Sequence, residues 1–253
     1  MSSVPLQGRA ALVTGAGVRL GREIALALAG EGADLVIHYN TSRAEAEQVA
    51  AEVRALGGRA AVAQAELADA DALAGLVDRA GEMVGPLHIL VNSASIFAPS
   101  TVADMTLDQV IENLRVNAWA PFELSRRFAA QEIESGHIVN LLDTRVVGLD
   151  LGHAAYILSK HVLAQLTRMT AAEFAPRIAV NAVAPGLILP PPGEDESYLA
   201  KLAGSLPLQR HGGPEDVVDA ILYLVKTRFV TGQVIFVDGG RHLREQGDGL
   251  HPD

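Results

Sequence analysis

The sequence predicts an α/β protein in which a seven-stranded parallel sheet is doubly wound, with helices on both faces. Short apolar runs alternate with longer amphipathic segments along the chain, the pattern of repeated β-α-β units. No Pro/Gly/Ser-rich linker divides its 253 residues, and 49% of them are apolar, enough for one large core. We therefore predict a single domain over residues 1–253 with its core at 8–240.

Periodicity places seven strands and six helices. The predicted strands are Ala10–Thr14, Asp34–Tyr39, Ala60–Glu66, Leu87–Asn92, Gly136–Leu142, Ile178–Ala184 and Val234–Val237. The predicted helices are Arg22–Ala29, Ala44–Ala55, Asp71–Val84, Leu107–Ala130, Ala155–Glu173 and Pro214–Val225. The polar segment 241–253 is expected to be loosely held or to form a subunit contact.

Composition excludes several classes of protein. The formal charge of −10 argues against a nucleic-acid surface, because phosphate backbones are bound mainly by Lys and Arg. The chain has no cysteine, which excludes disulfides, thiolate metal ligands and cysteine nucleophiles. No apolar stretch reaches the roughly 20 residues of a spanning helix, and the first residues lack a signal-peptide pattern. We expect a cytoplasmic protein that acts on a small molecule, without nucleic-acid or membrane partners.

A glycine-rich loop, Thr14–Gly21, follows the first predicted strand and leads into the first helix. Gly15 and Gly17 allow a tight turn and close backbone approach to a pyrophosphate, and the helix N-terminus offers unpaired N–H groups. The loop therefore predicts a dinucleotide site formed by Gly15, Gly17, Val18, Arg19, Leu20 and Gly21. A plain strand-to-helix turn without a ligand is the alternative.

The end of the second strand indicates which dinucleotide binds. An NAD site usually places an acid here, but this chain has neutral residues followed by Arg43. Neutral donors near Arg19 and Arg43 suit a 2′-phosphate, so NADPH/NADP+ is predicted over NADH. The predicted contacts are His38, Tyr39, Asn40, Thr41 and Ser42. Alternatively, Thr41 or Ser42 only caps the next helix and Arg43 is solvated.

Small and polar residues follow the third and fourth strands, where ligands meet an open α/β sheet. The predicted cofactor contacts there are Glu66, Leu67, Asn92, Ser93, Ala94 and Ser95. Phe97 is predicted to form an aromatic wall of the substrate pocket. The alternatives are a turn-forming role for Asn92 and core packing for Phe97.

The later segment 187–212 is rich in Pro, Gly and acids near its start and is predicted to be a mobile substrate lid. Within it, Leu187 either lines the pocket or packs against the protein.

Asp143, Tyr156 and Lys160 are predicted to carry the chemistry. Tyr156 and Lys160 are four residues apart and share one helical face. An ammonium beside a phenol is expected to lower the tyrosine pKa from about 10 and make the pair a proton donor. Asp143 lies where the preceding strand ends; a solvated turn is its alternative role.

Two asparagines, Asn113 and Asn117, lie four apart in the long helix before these residues. Asn117 is expected to bind a helix carbonyl or water and to join a proton relay to Lys160. Asn113 is expected at the surface. The histidines and acids form no clear ligand set, so no metal is predicted.

The order and spacing of five motifs resemble the short-chain dehydrogenase/reductase family over residues 8–240. The motifs are Thr14–Gly21, Asn92–Ser95, Asn117, Tyr156–Lys160 and Pro185–Gly186. The resemblance implies a Rossmann-type sheet, Tyr156 as proton donor, Lys160 bound to the nicotinamide ribose and Asn117 holding a relay water. It also implies cofactor contacts from Pro185, Gly186 and Ile188, and a homo-oligomer, a tetramer or dimer, built on the helices at Leu107–Ala130 and Ala155–Glu173.

Two departures from the family pattern bear on the substrate. The residue thirteen before the tyrosine is usually Ser, which donates to a substrate carbonyl, but here it is Asp143. An ionised carboxylate only accepts hydrogen bonds, which suits substrates with N–H donors or a C=N bond. Arg19 replaces the usual glycine of the first loop. With Ser95 and Phe97, these changes resemble the pteridine reductase branch.

That branch implies an oxidoreductase that uses NADPH to reduce a dihydropteridine or dihydrofolate-type C=N bond. The residues that would frame the substrate are Arg19, Ser95, Phe97, Asp143, Tyr156 and Leu187. A ketone or 3-oxoacyl reductase of the same family is the nearest alternative. A regulator that binds NADP(H) without turnover is the second.

Overall fold

The structure is a computed structural model that describes residues 5–191 and 193–244. Seven parallel strands form one sheet in the order β3-β2-β1-β4-β5-β6-β7, which confirms the predicted fold. The strands are β1 Ala10–Val13, β2 Asp34–Tyr39, β3 Ala60–Gln64, β4 Leu87–Asn92, β5 Gly136–Leu141, β6 Ile178–Pro185 and β7 Val234–Val237. The predicted ends of these strands are correct to within two residues, and β3 shows the largest error because it ends before Glu66.

Helices connect the strands. They are α1 Arg19–Gly30, α2 Arg43–Ala55, α3 Ala70–Ala74, α4 Leu76–Val84, α5 Leu107–Leu114, α6 Ala120–Ala129, α7 Ala154–Glu173, α8 Glu196–Ala203 and α9 Pro214–Lys226. The predicted helix Asp71–Val84 is divided at Gly75, and the predicted helix Leu107–Ala130 contains a π-helical turn at Arg115–Trp119. Helix α8, inside the predicted lid, has no counterpart among the predicted elements.

The two faces of the sheet are covered by separate helix layers. Successive side chains of a strand point to opposite faces, so Val13 packs in the cluster that includes Leu28 of α1, whereas Leu12 packs with Leu124 of α6. All four of these side chains are fully buried. Burial on both faces explains why the strands read as continuous apolar runs rather than alternating ones.

The strand order reverses at β1, which pairs with β2 on one side and β4 on the other. The connections that follow β1 and β4 leave toward opposite faces of the sheet, so a crevice opens beyond the carboxyl ends of these two strands. The glycine-rich loop after β1 and the segment after β4 both border this crevice. The fold therefore brings the predicted cofactor residues and the predicted catalytic residues to one edge of the sheet.

After β7 the chain forms a 3-10 helix at Arg241–Leu243. The predicted polar tail 241–253 otherwise lies mainly outside the described residues. Within the described part, none of the helices combines the length and apolar character needed to cross a membrane.

Candidate active site

The glycine-rich loop fits a dinucleotide pyrophosphate. Gly15 adopts a φ of +65°, a left-handed conformation that favours glycine, and a Cβ on Gly21 would lie 2.2 Å from the Gly15 carbonyl oxygen. A Cβ on Gly17 would meet Ser42 Oγ at 3.1 Å. The Gly21 contact brings the loop close to the start of α1, and the Gly17 contact brings it close to the start of α2. The loop therefore has the shape that the sequence predicts for the phosphate-binding turn.

The His38 side chain holds this loop in place through a hydrogen bond to its backbone. Its ring is buried: Nδ1 accepts a hydrogen bond from Gly15 N (3.1 Å), and Nε2 lies 3.0 Å from the Ala65 carbonyl oxygen. Burial lowers the pKa of His38 to about 4, so the ring is neutral at pH 7. The side chain thus joins the ends of β1, β2 and β3. This position makes the His38 side chain a support for the loop, and its predicted contact with the cofactor stays a prediction.

A second support joins β1 to β4. Thr14 Oγ1 accepts hydrogen bonds from Ser93 N and Ala94 N, both at 3.0 Å. Asn92 belongs to the same strand end, but its side chain points into the helix layer, where Nδ2 donates to Asn140 Oδ1 (2.8 Å). Asn92 is 2% exposed. Its amide therefore belongs to a buried network, and the predicted contact of Asn92 with the cofactor stays a prediction.

The other predicted cofactor residues of β2 and β3 are distributed between surface and core. Asn40 and Glu66 are exposed and hydrogen-bonded to each other, and Glu66 Oε1 also accepts from Ala68 N at 3.1 Å. Tyr39 and Leu67 are buried. Asn40 and Glu66 therefore form the accessible rim at this end of the crevice, beside the exposed Thr41 and half-buried Ser42.

At the other end of the crevice, Tyr156 and Lys160 of α7 face the end of β5. Tyr156 Oη donates a hydrogen bond to Asp143 Oδ2 at 3.2 Å, and Lys160 Nζ donates to the Leu141 carbonyl at 2.8 Å. Lys160 Nζ lies 5.5 Å from the centroid of the Tyr156 ring. The structure thus brings the three residues predicted from spacing into one cluster.

The electrostatics of this cluster differ from the sequence-based expectation. Burial, followed by the charge of Asp143, raises the pKa of Tyr156 well above its ordinary value of 10.0. Burial lowers the pKa of Lys160 to about 8, partly offset by Asp143. The expected lowering of the tyrosine pKa by Lys160 is therefore wrong for the protein alone: desolvation and a neighbouring carboxylate both favour the neutral phenol.

Arg145 is a member of this site that the sequence reasoning missed. Its Nε and Nη2 donate to the two oxygens of Asp143 at 2.9 and 2.7 Å, and its Nη1 donates to Asp150. Burial alone would raise the pKa of Asp143, but the hydrogen bonds and charge of Arg145 outweigh it and keep that pKa below its ordinary value. Asp143 is therefore ionised at neutral pH. The two-residue spacing from Asp143 was the one available signal for this pair.

An aromatic residue, Phe97, packs against the ring of Tyr156. The Phe97 ring stacks on His153 with centroids 3.9 Å apart, and it meets the Tyr156 ring edge-on at 4.7 Å. Phe97 is 49% exposed, so much of the ring remains accessible. His153 also pairs with Asp150, with Nδ1 3.1 Å from Oδ2. The position of Phe97 agrees with an aromatic wall and not with core packing.

Asn117 joins the segment after β4 to α7 through hydrogen bonds. Its Oδ1 accepts from Ile96 N (2.9 Å) and Ser95 Oγ (3.0 Å), and its Nδ2 lies 3.1 Å from Ser159 Oγ. It lies in the π-helical turn, a distortion often found at functional sites. Asn117 thus contacts the neighbour of Lys160, while the hydrogen bond shown for the Lys160 ammonium goes to Leu141.

Asn113 was expected at the surface, and that expectation is wrong. The residue is 3% exposed. Its Nδ2 donates to the Gln109 carbonyl at 2.9 Å, and its Oδ1 accepts from Asn117 Nδ2 at 3.2 Å. Packing of α5 against α7 buries this face of the helix, so the amide is satisfied within its own helix.

The predicted lid segment lies beside the glycine-rich loop. Arg19 has a φ of +51° and its Nη2 donates to the Pro190 carbonyl at 2.8 Å, which links the loop to the lid. Gly186 lies so close to β7 that a Cβ would meet Asp238 Cβ at 2.6 Å. Ile188 is buried and Leu187 is half-buried. A cavity of ≈ 230 Å³ lies under the lid and contains none of the predicted catalytic residues.

Comparisons with known proteins show the family to which the chain belongs. A family model described as Enoyl-(Acyl carrier protein) reductase matches residues 15–242. The 3-oxoacyl-(acyl-carrier-protein) reductase FabG of Staphylococcus aureus is 33% identical over 244 residues, 93% of this chain and 98% of that protein. The chain belongs to the short-chain dehydrogenase/reductase family and is an oxidoreductase.

Two solved structures are also similar over nearly the whole chain. FolM alternative dihydrofolate reductase 1 from Brucella canis, complexed with NADP, is 34% identical with a TM-score of 0.90 and covers 98% of this chain and 100% of that chain. The promiscuous reductase LugOII, which catalyses keto-reduction at C1 during lugdunomycin biosynthesis, is 32% identical with a TM-score of 0.88. Its alignment covers 95% of this chain and 100% of that chain.

Proposed function

We propose that this protein uses NADPH to reduce a pterin-like ring, at the C=N bond of a dihydropteridine or dihydrofolate-type substrate. One observation carries the proposal: the hydroxyl of Tyr156 is bonded to an ionised carboxylate, Asp143, and not to a hydroxyl donor. A carboxylate accepts from N–H groups, which pterins and their reduced forms carry. The likeness to the Brucella canis reductase supports the same substrate class.

NADPH is the proposed cofactor. Its pyrophosphate would lie against the loop from Gly15 to Gly21, and Thr41, Ser42 and Arg43 are available near the 2′-phosphate. Hydrogen bonds from Asn40 and the Ala68 N–H hold the Glu66 carboxylate in place, and Arg43 is the cation on this side that would offset its repulsion of a phosphate. The NADP bound in the similar Brucella canis structure supports this choice.

NADPH, when bound, supplies a hydride for the carbon of the C=N bond. Reduction also requires a proton at the ring nitrogen, and Tyr156 holds a proton at neutral pH because its pKa is raised. Lys160, whose pKa is about 8, remains mainly protonated at pH 7 and stabilises the tyrosinate that forms when Tyr156 donates. Asp143 orients the tyrosine hydroxyl, and Asn117 keeps the segment carrying Ser95 in place. Phe97, which is 49% exposed, would border the ring with its accessible part, while His153 and Arg145 pack against it.

The test is NADPH oxidation by the purified protein with dihydrobiopterin, dihydrofolate and an acetoacetyl thioester in parallel. The proposal expects turnover of a dihydropterin or dihydrofolate but not of the thioester. It also expects Asp143→Ser to lower pterin turnover sharply, since the carboxylate beside Tyr156 is lost. Turnover of the thioester alone would contradict the proposal.

A carbonyl reductase is the second candidate, and the likenesses to FabG and LugOII favour it. A ketone oxygen needs a hydrogen-bond donor, which Ser supplies in most of the family. This candidate therefore expects Asp143→Ser to preserve or raise activity on the thioester. A regulator without turnover would bind NADPH but oxidise it with none of the three substrates; the Tyr156–Lys160 pair argues against that role.

We also propose that the protein is a homo-oligomer, a tetramer or a dimer. Large apolar side chains are exposed on α5, the π-helical turn and α7: Ile111, Trp119, Leu158, Val162 and Met169. Leu158→Glu is expected to reduce the mass measured by light scattering, whereas Leu56→Glu, at an exposed site just after α2, is not. An unchanged mass for both variants would reject this face.

A cytoplasmic location, favoured by the cysteine-free sequence, is part of the proposal.

A further inference from the structure

The loop between β5 and α7 places Arg145 beside the aromatic residues of the site. Its guanidinium carbon lies 5.5 Å from the centroid of the Phe97 ring and 6.0 Å from that of Tyr156. The side chain is 21% exposed, so a ligand in contact with Phe97 and Tyr156 can also reach it. Arg145 therefore borders the surface on which the proposed substrate lies.

The hydrogen bonds of Arg145 leave part of its guanidinium available. An arginine side chain has five N–H donors in a fixed plane. Bonds to described residues use three of them: Nε and Nη2 donate to Asp143, and Nη1 donates to Asp150. One N–H on each of the two terminal nitrogens remains. Two carboxylates hold the group rigidly, so a ligand that binds it meets a preorganised donor.

Asp143, in contrast, has no acceptor position left. A carboxylate accepts about four hydrogen bonds. Oδ1 accepts from the backbone N (2.8 Å) and Nε (2.9 Å) of Arg145, and Oδ2 accepts from Arg145 Nη2 (2.7 Å) and Tyr156 Oη (3.2 Å). A substrate N–H can bond to Asp143 only if one of these donors leaves. Tyr156 is that donor, because its single O–H turns from Asp143 Oδ2 to the substrate when the proton is delivered and so frees Oδ2 for a substrate N–H. The donors that face a substrate therefore belong to Arg145 and Tyr156.

The charged side chains around the site balance one another. The carboxylates of Asp143 and Asp150 offset the cations of Arg145 and Lys160. Arg241 lies within electrostatic range of Arg145, on the 3-10 helix after β7, and no side-chain bond from it to a described residue is shown. Asp238, which accepts a hydrogen bond from Thr144 beside Arg145, adds a third carboxylate, so three cations balance three anions. An oxygen or nitrogen with partial negative charge is therefore stabilised by the two remaining N–H groups of Arg145 and not by a net charge.

We propose that Arg145 binds the substrate directly, by donating its two remaining N–H groups to a carbonyl oxygen and an adjacent nitrogen on the ring edge. This inference rests on the proposed function and deepens it. Asp143 then anchors Arg145 and Tyr156, and Arg145 supplies the donor that Ser provides in most of the family. Substrates without a hydrogen-bond acceptor next to the reduced bond are expected to be poor.

A double-mutant cycle on the full-length protein tests the inference. The variants are Arg145→Ala, Asp143→Ala and the pair, with Arg145→Lys to keep the charge without the planar fork. KM and kcat for dihydrobiopterin are measured with saturating NADPH, and circular dichroism checks folding. Arg228→Ala removes an exposed arginine after α9 and serves as the matched control, with unchanged kinetics expected.

Direct binding predicts that Arg145→Ala raises KM about 10- to 100-fold, the loss of a charged hydrogen bond. It also predicts a further, smaller rise when Arg145→Ala is added to Asp143→Ala, because Asp150 still holds Arg145 there and Arg145 acts on the substrate itself. Arg145→Lys is expected to recover only part of the loss. If Arg145→Ala has no effect in the Asp143→Ala background, Arg145 only positions Asp143 and the inference is wrong.

Failure of the proposed function gives a different result. If wild type reduces the acetoacetyl thioester and no pterin, the pterin proposal is rejected, and the same cycle is run on the thioester, whose ketone is also an acceptor. A retained effect of Arg145→Ala in the Asp143→Ala background then supports direct binding, and its absence rejects it. If wild type reduces neither substrate, both proposals are rejected.

Discussion

Replacing Gly21 with Ala is expected to distort the glycine-rich loop that we propose binds the cofactor. Gly21 is buried in the first turn of α1, where the helix crosses the turn after β1. An added Cβ would lie 2.2 Å from the Gly15 carbonyl oxygen and 2.8 Å from the Gly15 carbonyl carbon. Ordinary contacts of carbon atoms are about 3.5 to 4.0 Å, so the loop and helix must separate by roughly 1 Å.

The cost follows from the kind of atom that is displaced. Overpacking of a buried site typically costs about 1 to 3 kcal/mol, and here the obstacle is backbone, which cannot rotate away as a side chain can. We therefore expect Gly21→Ala to reduce the free energy of unfolding by about 2 kcal/mol or more. Movement of the Gly15 backbone should also weaken NADPH binding by at least about tenfold, which corresponds to roughly 1.4 kcal/mol.

Gly30, at the other end of α1, is the matched control. A Cβ there would meet no atom within 4 Å. Gly30→Ala is expected to leave NADPH binding unchanged and to stabilise the protein by up to about 1 kcal/mol through lower backbone entropy in the unfolded chain. The assays are urea unfolding and fluorescence titration with NADPH. Unchanged stability and affinity in Gly21→Ala would refute the close packing of this loop.

Three further predictions follow from the same contacts. The folded-state pKa of His38 is about 4, below its ordinary value of 6.5, so its contribution to stability is complete above pH 6.5 and is lost as the pH falls toward 4. His38→Gln should reduce this pH dependence of the free energy of unfolding in urea, by at most roughly 3 kcal/mol. The control His161→Gln, at an exposed site, should not reduce it. An equal pH dependence in wild type and His38→Gln would contradict a neutral buried ring. Thr14→Val removes the acceptor of two backbone N–H groups and is expected to cost about 1 to 3 kcal/mol, while Thr14→Ser keeps the acceptor; equal unfolding midpoints would rule out this link between β1 and β4. Tyr156→Phe is expected to lower kcat by about 100- to 10,000-fold with little change in NADPH affinity, and retained turnover would exclude Tyr156 as the proton donor.

Much of the fold could be predicted because its signals are local. Each strand is a short apolar run, since a parallel sheet covered on both faces buries every side chain of runs such as Leu35–Tyr39. Tyr156 and Lys160 were also predictable, because a spacing of four on a helix determines that two side chains share a face. The glycine pattern before α1 was readable for the same reason: one tight turn needs particular residues at particular positions.

The rest of the site depends on contacts between distant segments. His38 supports Gly15 and Asn92 joins a buried network because the sheet brings separate strand ends together. The raised pKa of Tyr156 reflects desolvation, which is a property of the packed protein.

Arg145 shows most clearly the difference between what the sequence predicts and what contacts between distant segments decide. Its proximity to Asp143 in the sequence was visible, but its position against Phe97 depends on how the β5–α7 loop folds over the segment after β4. The sequence alone determined the sheet, the cofactor loop and the Tyr156–Lys160 pair, because these are set by periodicity and spacing. Only the tertiary structure decided which side chains surround the tyrosine hydroxyl and which of their donors remain available, because burial and long-range contact set both.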